Sequence, residues 1–247
     1  MNSPLENLKL KMRLWASLSA RTQSLYQTLL EPESCLGVNR HTVDLVIEGY
    51  PRSGNTFAWH AFTSAQSRSF HILHHSHMAA TIIESAKQKI PTLVLIRPPK
   101  DASISYCIYQ DNLPLRMALA HWINFHKAIA PYRSEFVLAR FEEVITDFGK
   151  AIGSVNERYS TNFTIFDHTK ENADCILDEI NQRSKIIATR AGFAQDIDKK
   201  ISMPSTARNQ IKEQFLEDLS VKKSLRRLLA NANDIYEQFT TSAISAR

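Results

Sequence analysis

The chain has 247 residues, is 43% hydrophobic, and carries a formal net charge of +5 with a pI near 9.1. That length and apolar content suit one α/β domain with a substantial buried core. The mild basic excess favours anionic ligands but does not point to nucleic acid, and no stretch approaches the ~20 apolar residues needed to span a bilayer.

Residues 1–30 are predicted to hold an N-terminal helix. From Leu5 to Leu30 the segment is basic and sets Leu8, Met12, Trp15 and Leu18 on one face. Such a face packs on its own domain or makes peripheral contact with an anionic membrane; the first is the commoner outcome. The N-terminus lacks an apolar stretch followed by a small-residue cleavage site. The cysteines Cys35, Cys107 and Cys175 are far apart and show no metal-type pairing. Both features lead us to expect a cytoplasmic, reduced protein.

Val43 to Ile47 is a short apolar run rich in β-branched residues and predicts a buried strand. Gly49 to Asn55 supplies turn residues, and a helix follows from Thr56 to about Ser64. A second strand is expected at Phe70 to Leu73, a helix from Met78 to Lys89, and a third strand at Thr92 to Ile96. Helices at Asp101 to Gln110 and Leu115 to Ala130 precede a strand at Phe136 to Ala139 and a further candidate strand at Phe163 to Phe166. This alternation implies a mostly parallel sheet with helices on both faces. Residues 168–240 read as helical: Leu225, Leu228, Leu229, Ala232, Ile235, Tyr236 and Phe239 recur at helical spacing as a core-facing stripe. Lys222, Lys223, Arg226 and Arg227 read as a solvated face. No repeat or linker divides the chain, so one domain is expected, with its ligand-binding core in residues 41–147.

The segment Gly49-Tyr50-Pro51-Arg52-Ser53-Gly54-Asn55-Thr56 fits the phosphate-loop pattern G-x-x-x-x-G-K-[ST] except that Asn55 stands for lysine. A strand turning through such a loop into a helix aims backbone N–H groups and the positive helix end at an anion. A nucleoside triphosphate calls for the missing lysine, and for magnesium held by the loop Ser/Thr and a strand-end Asp. Here the third strand ends in Arg97, which repels a metal and attracts a second anion. The expected ligand is therefore a metal-independent nucleotide with two separate anionic groups, Arg52 covering one and Arg97 the other.

Tyr50 to Thr56 resembles the 5′-phosphosulfate loop, Y-P-[KR]-S-G-T-T, of the PAPS-dependent sulfotransferases. Val94 to Ser105 is similar to that family's 3′-phosphate block, in which an Arg and a Ser eight residues later bind the phosphate; Arg97 and Ser105 hold that spacing. Ala139 to Val144 looks like its R-Y-E-D-L segment. The likeness covers about Asp44 to Asp147 and implies a P-loop NTPase-like fold and 3′-phosphoadenosine 5′-phosphosulfate (PAPS) as donor, without a metal. It further implies donor contacts from Arg52, Ser53, Gly54, Asn55, Thr56, Phe57, Arg97 and Ser105, with Phe57 in the place of an adenine-stacking aromatic. The family's C-terminal R-K-G-x-x-G segment has no counterpart here; Ser205 to Arg208 is the candidate replacement.

Sulfuryl transfer needs an in-line acceptor, positive charge on the departing phosphate and a base. Arg52 is the expected catalytic cation. His71, His74, His75 and His77 follow the second strand, at the sheet edge where parallel sheets bind ligands. His75-Ser76-His77-Met78 resembles the family's K-T-H-L segment, which selects His77 as general base. A metal cluster of these histidines is not expected, because no nearby Cys or acid completes a set. Glu48 and Glu84 occupy no position that marks them as bases. The acceptor, a hydroxyl or amine compound such as a carbohydrate, lipid-linked sugar or phenol, is not legible. The competing readings are a P-loop kinase or hydrolase and a nucleotide-binding relic without transfer.

Overall fold

The computed structural model describes Met12 and residues 38–110, 113–190 and 206–241. The expected N-terminal helix lies outside them apart from Met12, as do Cys35 and Ser205. Four parallel strands, β1 (Leu45–Gly49), β2 (Ile72–His74), β3 (Thr92–Ile96) and β4 (Val137–Arg140), form a sheet in the order β2-β1-β3-β4. The register sets Ile47 beside both His74 and Leu93, and Ile96 beside Arg140, so the strands end together at one edge.

The helices are α1 (Asn55–Ala65), α2 (Ala79–Lys87), α3 (Pro99–Tyr109), α4 (Leu115–Ile129), α5 (Phe141–Thr146), α6 (Phe148–Tyr159), α7 (Lys170–Arg190), α8 (Thr206–Val221) and α9 (Lys223–Thr241). The sheet is covered on both faces, and β3 shows why its sequence is an unbroken apolar run. Leu93 and Leu95 pack with Phe62, Phe148 and Ile152 from α1 and α6. Val94 and Ile96 point the other way, against Ile82, Trp122, Phe125 and Phe239 from α2, α4 and α9. Each such fully buried side chain contributes about 1.5–3 kcal/mol. The C-terminal stripe is core as expected: Leu225, Ala232, Ile235 and Phe239 are buried on α9, while Lys222, Lys223, Arg226 and Arg227 stay exposed.

The expected strand at Phe163 to Phe166 does not form. Phe163 and Phe166 are buried but Thr164 and Ile165 between them are exposed, a pattern that a period of two does not produce. The backbone groups there are taken by side chains: the Gln66 amide bonds both N–H and carbonyl of Thr164, and the Asn156 amide does the same for Phe163. No described helix is long and apolar enough to cross a membrane.

Candidate functional site

The order β2-β1-β3-β4 reverses direction between β1 and β3, and in a parallel sheet the crevice beyond the strand ends at that point is where ligands sit. A cleft of about 1120 Å³ opens there. Single-ligand pockets run to roughly 300–1,000 Å³, and this one lies at the upper end of that range. The segments following all four strands reach it, and α7 and α8 close it from the C-terminal part.

The loop after β1 is tight for two reasons. A Cβ on Gly49 would lie 2.4 Å from the Leu95 carbonyl oxygen, so only glycine lets β1 and β3 approach there. Gly54, at φ 96°, turns the chain into α1. The first helical bond of α1 is donated by Ala58 to Gly54 O, which leaves the N–H groups of Asn55, Thr56 and Phe57 without acceptors inside the helix. The positive end of α1 therefore faces the cleft.

Two arginines meet at Ser105, and a third is tied to the first of them. Arg52 Nε and Arg208 Nη2 each donate to Ser105 Oγ at 3.2 Å, and Arg97 Nη1 donates to the Arg52 carbonyl at 3.0 Å. Arg97 lies over the Phe141 ring at 4.0 Å, and Arg52 stands 5.0 Å from the Tyr109 ring. Arg52 itself sits at φ 69°, a left-handed conformation that disfavours a side chain by about 1–2 kcal/mol. Burial, followed by the charge of Arg208, pushes its guanidinium down to about 10. Burial also lowers Arg97 and Arg208, although Asp101 and Glu142 pull Arg97 the other way. Cations that burial and mutual repulsion both oppose are stabilised by a bound anion.

The remaining loop residues differ in what they offer. Gly54, Asn55, Thr56 and Phe57 line the cleft, whereas Ser53 is fully buried beneath it and donates its backbone N–H to Tyr50 O. The Asn55 amide turns back and donates to Tyr50 O at 3.4 Å, while its Oδ1 and Ser53 Oγ have no hydrogen-bond partner among the described residues. Thr56 Oγ1 is hydrogen bonded to His75 Nε2 at 3.0 Å. Phe57 is only 7% exposed, with its ring edge-on to Phe166 and against His168. The resemblance at Ala139 to Val144 proves structural in part: Glu143 accepts from Arg140 N at the start of α5, and Arg140 Nη2 ties β4 to Thr240 O of α9.

Of the four histidines, His74, His75 and His77 line the cleft, and His71 does not, being exposed and bonded to Thr42 O. The chain leaves β2 at His74 and kinks through left-handed conformations at His75 (φ 60°) and His77 (φ 53°), which overrides simple strand alternation. Burial, reinforced by His77 and His74, pushes His75 down to about 3, so it is neutral. His77 Nδ1 lies 2.9 Å from Gly49 O. A carbonyl only accepts, so Nδ1 carries a proton, and in the neutral ring the lone pair then lies on Nε2. Among the described residues no group of three or more His, Cys, Asp or Glu could hold a metal ion.

Two contributors were hard to read in sequence. Arg208 arrives from α8, 103 positions beyond Ser105, with no motif around it to mark an anion ligand. Glu48 is fully buried one residue before the loop, and its carboxylate accepts backbone N–H bonds from Ser76 and His77. No family model matches this chain, and no curated protein matches it.

Proposed function

We propose that the protein is a sulfotransferase that takes a sulfuryl group from PAPS and passes it to a hydroxyl or amine acceptor without a metal ion. The observation that carries this reading is a linked set of arginines beside the open N-terminus of α1, with Arg52 and Arg208 both donating to Ser105 Oγ and Arg97 donating to the Arg52 carbonyl. Two cationic centres in one crevice, a glycine turn with a helix end and a strand-end arginine, fit a nucleotide bearing a 5′-phosphosulfate and a separate 3′-phosphate. The Tyr50 to Thr56 and Val94 to Ser105 resemblances favour the same donor. Ser53 Oγ, buried without a hydrogen-bond partner among the described residues, leaves a hydroxyl donor beneath the loop.

In this reading the α1 N-terminus and Arg52 hold the 5′ end, and Arg97, Ser105 and Arg208 hold the 3′-phosphate. The acceptor oxygen or nitrogen bonds to sulfur as the bond between sulfur and the bridging phosphate oxygen breaks. His77 Nε2 takes the acceptor's proton, and the bond-pair electrons leave on adenosine 3′,5′-bisphosphate, whose growing charge Arg52 and the helix N–H groups stabilise. The test is incubation with sulfur-labelled PAPS, the intact chain and a panel of carbohydrate, phenol and amine acceptors, with EDTA present. Labelled product from at least one acceptor supports the proposal; magnesium-dependent ATP turnover supports a kinase or hydrolase instead.

A binding-only relic is favoured by one observation. His75, where the family carries lysine, is neutral, so the departing phosphate has one cation fewer. That reading expects tight metal-free binding of adenosine 3′,5′-bisphosphate and no transfer to any acceptor.

A further inference from the structure

Glu48 has no account in strand packing. It stands next to last in the run Leu45-Val46-Ile47-Glu48-Gly49, every residue of which is buried, and is itself 0% exposed. A buried carboxylate is retained at a site only where something compensates it. Here the compensation is largely backbone: Oε1 accepts from Ser76 N at 2.6 Å, and Oε2 accepts from His77 N at 3.1 Å and from Gly49 N at 3.4 Å, with the Ser76 side chain adding a further bond. Glu48 does not line the cleft, so it does not touch a reacting atom.

We infer that Glu48 is a positioning residue, whose carboxylate fixes the backbone of residues 75–77 so that the His77 ring is held in one orientation and one tautomer. Two further observations support this. Both His75 and His77 stand in left-handed conformations that side-chain-bearing residues rarely hold unaided, and the residue between them donates the shortest of Glu48's bonds. The next residue, Gly49, supplies the carbonyl that accepts from His77 Nδ1–H, so adjacent groups of β1 grip the backbone and the ring of one histidine. A second anchor is the Ser76 hydroxyl, paired with Thr81 Oγ1 of α2 at 2.9 Å. Burial pushes the Glu48 carboxyl up to about 7 while the N–H bonds pull it down. The consequence for catalysis rests on the sulfotransferase reading; the effect on the ring does not.

The experiment uses the full chain with ¹⁵N-labelled histidine, the His77 imidazole signals being assigned against His77→Asn. Wild type is expected to show His77 as a single Nδ1–H tautomer. Glu48→Gln keeps the size but puts an amide N–H₂ against backbone donors, and is expected to give mixed tautomers. Its turnover is expected to fall about 10- to 100-fold, as for a misplaced catalytic group, with affinity for adenosine 3′,5′-bisphosphate unchanged. Glu48→Asp, which restores the carboxylate on a shorter stem, is expected to recover the single tautomer in part, and takes over the test if the Gln variant does not fold. A single wild-type-like tautomer with undiminished turnover in Glu48→Gln overturns the inference. If wild type transfers no sulfate, the functional reading fails while the imidazole spectra still decide the role of Glu48.

Discussion

Arg208→Ala separates a ligand-binding arginine from a structural one, because only the first predicts a loss of nucleotide affinity. In the ligand-free protein Arg208 and Arg52 share one acceptor, Ser105 Oγ, each at 3.2 Å, so their donor nitrogens lie at most twice that distance apart. Two unit charges about 6 Å apart at an effective dielectric of about 20 repel by about 3 kcal/mol, and the half-exposed position of Arg208 reduces this to about 1–2 kcal/mol. Truncation removes that repulsion together with the Ser105 bond, worth about 1 kcal/mol, and these two contributions nearly cancel, so the change in ligand-free stability is set by the other contacts of Arg208. Affinity is expected to fall. A charge-assisted contact to phosphate is worth about 1.5–3 kcal/mol, so adenosine 3′,5′-bisphosphate binds about 10- to 150-fold more weakly. Calorimetric titration with EDTA present gives the affinity, and urea unfolding without ligand gives the stability. Unchanged affinity refutes the assignment of Arg208 to the anion site.

His77→Ala is expected to lower turnover by about 10²–10⁴-fold and leave binding of adenosine 3′,5′-bisphosphate intact; equal turnover in the variant removes His77 as base. Acid stability follows from buried groups with opposed shifts. Burial pushes His126, stacked on Trp122, down to about 3, and does the same to His75. A histidine lowered in the folded state contributes stability that is complete above about pH 6.5 and is lost as pH falls below it. Each loses about 1.4 kcal/mol per pH unit. Glu48, raised to about 7, acts in reverse, since between about pH 4.5 and 7 the unfolded chain ionises first and stability grows as pH falls. His126→Phe removes one of these losing terms, so between pH 6.5 and 4.5 wild type is expected to lose about 2 kcal/mol more than the variant in urea unfolding. Parallel acid limbs for the two proteins contradict this.

The central sheet was legible where burial on both faces leaves an unmistakable apolar run. Thr92 to Ile96 appears at the residues read from sequence. β1 begins at Leu45 rather than Val43, which packs in a separate cluster with Leu73 and Ile90. It ends at Gly49, which the sequence reads as turn and the close approach to Leu95 makes part of the strand. Phe163 and Phe166 misled because two buried aromatics look like a strand until the amides of Gln66 and Asn156 are seen taking their backbone bonds. At the site, the Arg52 loop and the Arg97 to Ser105 spacing were readable because chemistry and chain order coincide within one strand, loop and helix unit. Arg208 was only a candidate, since nothing local records which distant helix will fold across Ser105. Glu48 carried a faint signal, an acid inside a strand of apolar residues, whose meaning depends on backbone donors 28 and 29 positions away.

The account stands on two anion sites in one metal-free crevice, so the most direct measurement compares three nucleotides on the full chain: adenosine 3′,5′-bisphosphate and adenosine 5′-monophosphate with EDTA, and ATP with magnesium. The bisphosphate is expected to bind about 100-fold tighter than the monophosphate, with Arg97→Ala erasing most of that gap, since the 3′-phosphate gains charge-assisted bonds from Arg97 and Arg208. Equal affinity for the bisphosphate and the monophosphate, or tight binding confined to magnesium ATP, contradicts the sulfate-donor account.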